Sequence, residues 1–133
     1  MSLTAVSTLS GSTIAGTGGT AVNWTKMGQV GNKVSLAVTS DADLRSRRTL
    51  DVVAKAPSVN PGAPNGYTQA RVTKVYKQPL LLENGSITVN TVKVEVAYDV
   101  ETSAAEIQEL VDQGAQLLFD ADLVSVDKTL SLS

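Results

Sequence analysis

The sequence predicts an α+β fold, in which an N-terminal β-hairpin and an antiparallel meander sheet are followed by one or two C-terminal helices. Between residues 33 and 100 apolar and polar side chains alternate with the period of two that marks strands with one buried face. At residue 102 the period changes to that of an amphipathic helix. The size, 133 residues with 42% hydrophobic side chains, suits one soluble globular domain, 1–133, divided into a sheet region 1–101 and a helical region 102–133.

The opening hairpin is expected from Thr4–Leu9 and Ala21–Lys26, which flank the run Ser10–Thr20 with its four glycines. Lys33–Thr39 follows, with Val34, Leu36 and Val38 against Ser35, Ala37 and Thr39. Ser40–Ser46 is a polar connection. Arg48–Ala56 places Leu50, Val52, Ala54 and Ala56 on one face and Thr49, Asp51, Val53 and Lys55 on the other. Pro57–Gly66, with three prolines, two asparagines and two glycines, is a loop. In the strand Tyr67–Gln78 valines and cations occur at both parities, so the pattern does not assign its faces. Glu83-Asn-Gly-Ser86 is a turn, and Ile87–Val100 is the longest regular strand, with Val92, Val94, Val96, Tyr98 and Val100 opposite Thr91, Lys93, Glu95, Ala97 and Asp99.

Ser103-Ala-Ala-Glu106 reads as a capping box that starts a helix, with Ile107, Leu110, Val111, Gly114 and Leu118 on its apolar stripe. Residues 123–133 suit either a short second helix, with Asp122 as its cap, or an extended tail.

Composition removes several chemistries. The chain has no cysteine and no histidine, which excludes a disulfide framework, a Cys-His pair, a Ser-His-Asp triad and the usual zinc sites. An enzyme would need a carboxylate or lysine centre, and no such constellation is visible. Gly16-Thr-Gly-Gly19 lacks the lysine and the strand-to-helix context of a phosphate loop and reads as a turn. Asp41/Asp43 and Asp120/Asp122 lack the full ligand set of a cation site. No metal, cofactor or small-molecule substrate is expected. The start, Met1-Ser-Leu3, runs into a polar segment and not into the basic and then apolar pattern of an export signal. No apolar stretch approaches the roughly 20 residues of a membrane-spanning helix.

The net charge of −2 conceals a division. Residues 1–93 carry ten basic and four acidic side chains, a net +6, and residues 94–133 carry one basic and nine acidic ones, a net −8. Such asymmetry is expected of a fold with two differently charged surfaces, one of them suited to a polyanion. Coverage is a second constraint. A helix of about 16 residues spans about 24 Å and cannot cover five strands set about 4.8 Å apart. The remaining apolar surface requires a second sheet or a partner chain.

In the order of its elements, and in the stretches Leu44–Lys55, Tyr67–Val75, Val92–Tyr98 and Glu101–Glu106, the whole chain resembles the coat proteins of single-stranded RNA bacteriophages. The resemblance implies an interlocked homodimer whose sheets join edge to edge and whose helices cover the dimer partner's sheet. It implies an icosahedral shell, made in the bacterial host cytoplasm, that packages single-stranded genomic RNA on its inner sheet face. A flexible loop, here about Gln78–Ser86, adjusts around the symmetry axes, and some members bind an RNA hairpin and repress replicase translation. Matching positions make Thr49, Lys55, Arg71, Thr73, Thr91, Lys93 and Glu95 the RNA-binding candidates. Asp51 and Val53 depart from a hairpin-reading surface and favour general packaging. Arg45, Arg47 and Arg48 are either RNA contacts or solvated charge, and Trp24 either stacks a base or packs in a core or interface. The alternative is a bacterial surface or pilus-like β-sandwich without RNA binding.

Overall fold

The computed structural model describes residues 8–10, 19–38, 40, 41 and 43–130. The chain divides into two compact units, Gly19–Val100, which holds the sheet, and a unit that holds the helices and the N-terminal segment.

The first unit is a five-stranded antiparallel meander: β1 Thr25–Val30, β2 Lys33–Ala37, β3 Thr49–Lys55, β4 Ala70–Leu81 and β5 Ile87–Tyr98, adjacent in sheet order. The hairpin that opens the sheet is β1–β2. The expected strand Ala21–Lys26 is therefore displaced toward the C-terminus, because Gly31-Asn32 makes a two-residue turn with Gly31 at φ 57°. That first loop position favours glycine in hairpin turns. Most of the expected strand Thr4–Leu9 and of the connecting run Ser10–Thr20 lies outside the described residues, and Thr8 and Leu9 are not in a strand.

Strand β4 runs through Pro79 to Leu81, past the end expected at Gln78. Leu82 donates its N–H to the Ser86 carbonyl at 2.8 Å, and Gly85 donates to the Leu82 carbonyl at 3.0 Å. By the alternation of an antiparallel ladder, even-numbered residues of β4 then bond to β5 and odd-numbered ones point toward β3. Pro79 is odd, and the β3 ladder ends at Thr49 opposite Lys77, so the missing N–H has no bond to lose. The loop expected over 78–86 is correspondingly short. Gly85, at φ 85°, takes the left-handed position of a three-residue bulged turn, and Asn84 accepts from the Ser86 N–H at 3.0 Å.

In the second unit, α1 spans Ala104–Phe119 and α2 spans Ala121–Thr129. The capping box forms as the sequence predicts: the Ser103 hydroxyl accepts from the Glu106 N–H at 3.2 Å, and the Glu106 carboxylate accepts from the Ser103 N–H at 3.3 Å. Ser103→Ala should lower stability by about 1 kcal/mol through loss of this cap, a change that urea unfolding would measure. Of the segment expected as helix or tail, the part up to Thr129 is helical and 131–133 lie outside the described residues; the cap is Asp120 in place of Asp122, with Asp120 Oδ1 accepting from the Asp122 N–H at 3.0 Å. On α1, Gln116 pairs with the Leu9 peptide group, accepting its N–H at 2.6 Å and donating to its carbonyl at 2.7 Å. Ser10 donates to Glu109 at 2.8 Å.

Candidate nucleic-acid interface

Strand register decides what the sequence leaves open, the faces of β4. Residues directly opposite one another in a sheet share a face. Thr49 lies opposite Lys77, Asp51 opposite Val75, Val53 opposite Thr73 and Lys55 opposite Arg71. On the other side of β4, Arg71 lies opposite Ala97, Thr73 opposite Glu95, Val75 opposite Lys93 and Lys77 opposite Thr91. All seven candidates, Thr49, Lys55, Arg71, Thr73, Thr91, Lys93 and Glu95, therefore stand on one face. The same register brings Lys33 to that face through its pairing with Val53. The opposite face is mainly apolar and carries Val34, Leu36, Leu50, Val52, Val72, Tyr76, Val92, Val94, Val96 and Tyr98, with Lys26, Lys74, Gln78, Thr88 and Asn90 as polar members.

The polar face carries five cations, Lys33, Lys55, Arg71, Lys77 and Lys93, and two carboxylates, Asp51 and Glu95. Lys33 and Lys77 are additions to the set read from sequence. Their signal was the shared parity of Lys77 with Arg71 and of Lys33 with Ser35, which gains meaning only once a neighbouring strand fixes the direction of each face.

Both carboxylates stand diagonally beside a cation. Arg71 Nη1 lies 2.7 Å from Glu95 Oε1, and Lys33 Nζ lies 4.0 Å from Asp51 Oδ2. Glu95 thus holds a neighbouring candidate. Lys55, Lys77 and Lys93 are exposed and make no ion pair among the described residues. Such a face can neutralise a row of phosphates, and a polyanion that binds it releases counterions.

The arginine cluster has a different task. Arg48 Nε and Nη2 meet the two Asp41 carboxylate oxygens at 3.0 and 3.1 Å, its backbone N–H donates to the same carboxylate at 3.0 Å, and Arg47 donates to the Asp41 carbonyl at 3.3 Å. Arg45 pairs with Asp43 at 3.3 Å. The acidic pair Asp41/Asp43 is therefore occupied by arginines, and the β2–β3 connection is tied to the start of β3. Arg48 side-chain hydrogen bonds, then its backbone N–H, hold the Asp41 carboxyl below its ordinary value of 3.8. For Asp43 the Arg45 backbone N–H acts first and its side chain second.

A carboxyl lowered in the folded state stabilises the fold above its ordinary value, and that contribution is lost as pH falls through the lowered one. Asp41→Asn should therefore lower the thermal midpoint at neutral pH. The difference from the parent should close as the pH is taken below 3.8.

Trp24 packs edge-on against Tyr76, with ring centroids 5.9 Å apart at 78°. Tyr76 belongs to the apolar face, so this contact is the packing alternative and not base stacking from the cationic face. Among the described residues no group of three or more His, Cys, Asp or Glu side chains could hold a metal ion, and no helix is long and apolar enough to cross a membrane.

No family model matches the sequence, and no curated protein matches it. Solved structures do. A virus-like particle of bacteriophage GQ-907 superposes with a TM-score of 0.85 at 29% identity, covering 96% of this chain and 97% of that one. A virus-like particle of bacteriophage AVE019 has a TM-score of 0.67 at 12% identity over 83% and 86% of the two chains, a likeness of fold alone. The meander followed by two helices is the fold of a phage coat protein. The chain's resemblance to the coat proteins of single-stranded RNA bacteriophages therefore holds as a likeness of fold along nearly its whole length, and that likeness supports a structural, non-enzymatic role in a capsid.

Proposed function

We propose that this chain, as a single coat-protein domain, forms a homodimer that assembles into an icosahedral shell around single-stranded RNA, with the cationic sheet face turned to the RNA. The observation that carries the reading is the register, which gathers Thr49, Lys55, Arg71, Thr73, Thr91, Lys93 and Glu95, together with Lys33 and Lys77, on one face.

Dimerisation is supported by two features. The outer strand β5 is 12 residues long and pairs with β4 without irregularity, whereas the outer strand at the other side, β1, has 6 residues and a bulge between Lys26 and Gly28. A long regular edge is a template for strand addition, and a short bulged one is not. The second feature is uncovered apolar surface. Leu110, Val111, Leu117 and Leu118 on α1 are between 41 and 56% exposed, and Val92 on the apolar sheet face is 47% exposed. A second copy that lays its helices across this chain's sheet, and receives this chain's helices on its own, covers both.

Phosphate contacts by lysine and arginine are mostly independent of sequence. With Asp51 and Val53 in the middle of the face, general packaging is favoured over reading of a particular hairpin, and replicase repression is a secondary role at most. The protein is made in the cytoplasm of a bacterial host and resides in the virion. Electron microscopy and the absorbance ratio of the purified product test the reading. Uniform shells holding nuclease-resistant RNA support it, and an RNA-free monomer refutes it. The pilus-like sandwich gains nothing from the fold, because the strands of the described residues form one sheet.

A further inference from the structure

The cationic face is not uniform. Lys55 and Arg71 are directly opposite one another across β3 and β4. Like charges so placed repel, which disfavours the pairing of the two strands unless an anion stands beside them. Glu95 is that anion. It lies diagonally across from Arg71, two residues along β5 from Ala97, the residue Arg71 faces, and bonds to the Arg71 guanidinium at 2.7 Å. The pair is open to solvent, with side chains 50 and 40% exposed, so its attraction is weak and an incoming anion can replace the carboxylate.

We infer that Lys55 and Arg71 form a phosphodiester site for which Glu95 is the built-in counterion while RNA is absent. This rests on the reading that the cationic face binds RNA, and it adds what that reading does not contain: one acidic residue that sets how strongly the face holds a phosphate chain. When a phosphate enters between Lys55 and Arg71 it takes the place of the Glu95 carboxylate on the guanidinium. The freed carboxylate then gathers a cation from solution. The exchange leaves the number of counterions released at the Arg71 guanidinium nearly unchanged, whereas Lys55, Lys77 and Lys93, which have no carboxylate partner among the described residues, release theirs fully. Glu95 thereby keeps the face from holding RNA too firmly during assembly, and it stabilises the sheet when RNA is absent.

The test is binding of a short unstructured oligouridylate to the full chain across a salt series, with thermal midpoints to verify that each variant is folded. Glu95→Gln should steepen the slope of log affinity against log salt by about 0.7, which is about fourfold tighter binding near 0.15 M salt. In an Arg71→Gln background the same change should do little. An unchanged slope in Glu95→Gln, or an equal gain in the Arg71→Gln background, overturns the inference. Lys93→Gln separates the two levels. If it flattens the slope while Glu95→Gln changes nothing, only the exchange site is wrong; if it also changes nothing, the RNA-facing assignment fails and the exchange site fails with it.

Discussion

Replacing Thr91 with proline should abolish particle assembly while leaving the five-stranded sheet intact. The alternation set by the Leu82 to Ser86 hydrogen bond directs the even-numbered residues of β5 toward β4, so Thr91 points its N–H away from β4, to the open edge. A proline there removes no bond of the existing sheet but withdraws a donor from the edge and fills the place a second strand would take. Thr91→Val keeps the amide and should assemble normally, which separates the edge from any loss of the hydroxyl on the cationic face. Val92→Pro, which breaks a bond to β4, gives the signature of a disrupted sheet. Sedimentation and electron microscopy of the three variants decide the matter. Normal shells from Thr91→Pro would show that β5 is not the dimer edge.

Changing Lys55, Lys77 and Lys93 together to glutamine should remove most of the RNA held by the particle without preventing the shell from closing. These lysines stand on one face and make no ion pair among the described residues. Each phosphate contact to a single strand contributes about 0.7 to the salt slope, so three lost contacts flatten it by about 2 and weaken binding about 50-fold near 0.15 M salt. The particle absorbance ratio and the salt dependence of oligouridylate binding both report the change. An unchanged RNA content would mean that the opposite face, or another surface, meets the nucleic acid.

Much of this fold was legible because its signals are local. The alternation from Val92 to Tyr98 requires only that one side of β5 be covered, and the Ser103 to Glu106 box closes within one turn of helix. Gly85 takes positive φ within a single turn, as the Asn-Gly pair suggests. The errors have equally particular causes. The strand β1 was displaced because the many glycines near the start outweighed the shorter Gly31-Asn32 signal. The strand expected over 67–78 runs on through Pro79 to Leu81, because β3 has already ended there and the proline's missing N–H costs the sheet no bond.

The candidate site was legible as a set of residue types and only in part as a surface. The arginine cluster looked like available charge, yet Arg48 closes on Asp41, seven residues away across a loop, a distance no periodicity describes. Glu95 was identified as a candidate, but its bond to Arg71 joins residues 24 positions apart.

By itself the sequence determined the α+β class, the exclusion of thiol and imidazole chemistry, the division of charge along the chain and the residues of β5 that share the cationic face. Tertiary structure alone decided which way β4 turns its side chains, that Lys33 and Lys77 join the others, and which cations are already paired. The reason is physical. A strand's own pattern fixes which residues lie together but not which side they face, and an ion pair depends on distance between strands, which register sets and composition does not.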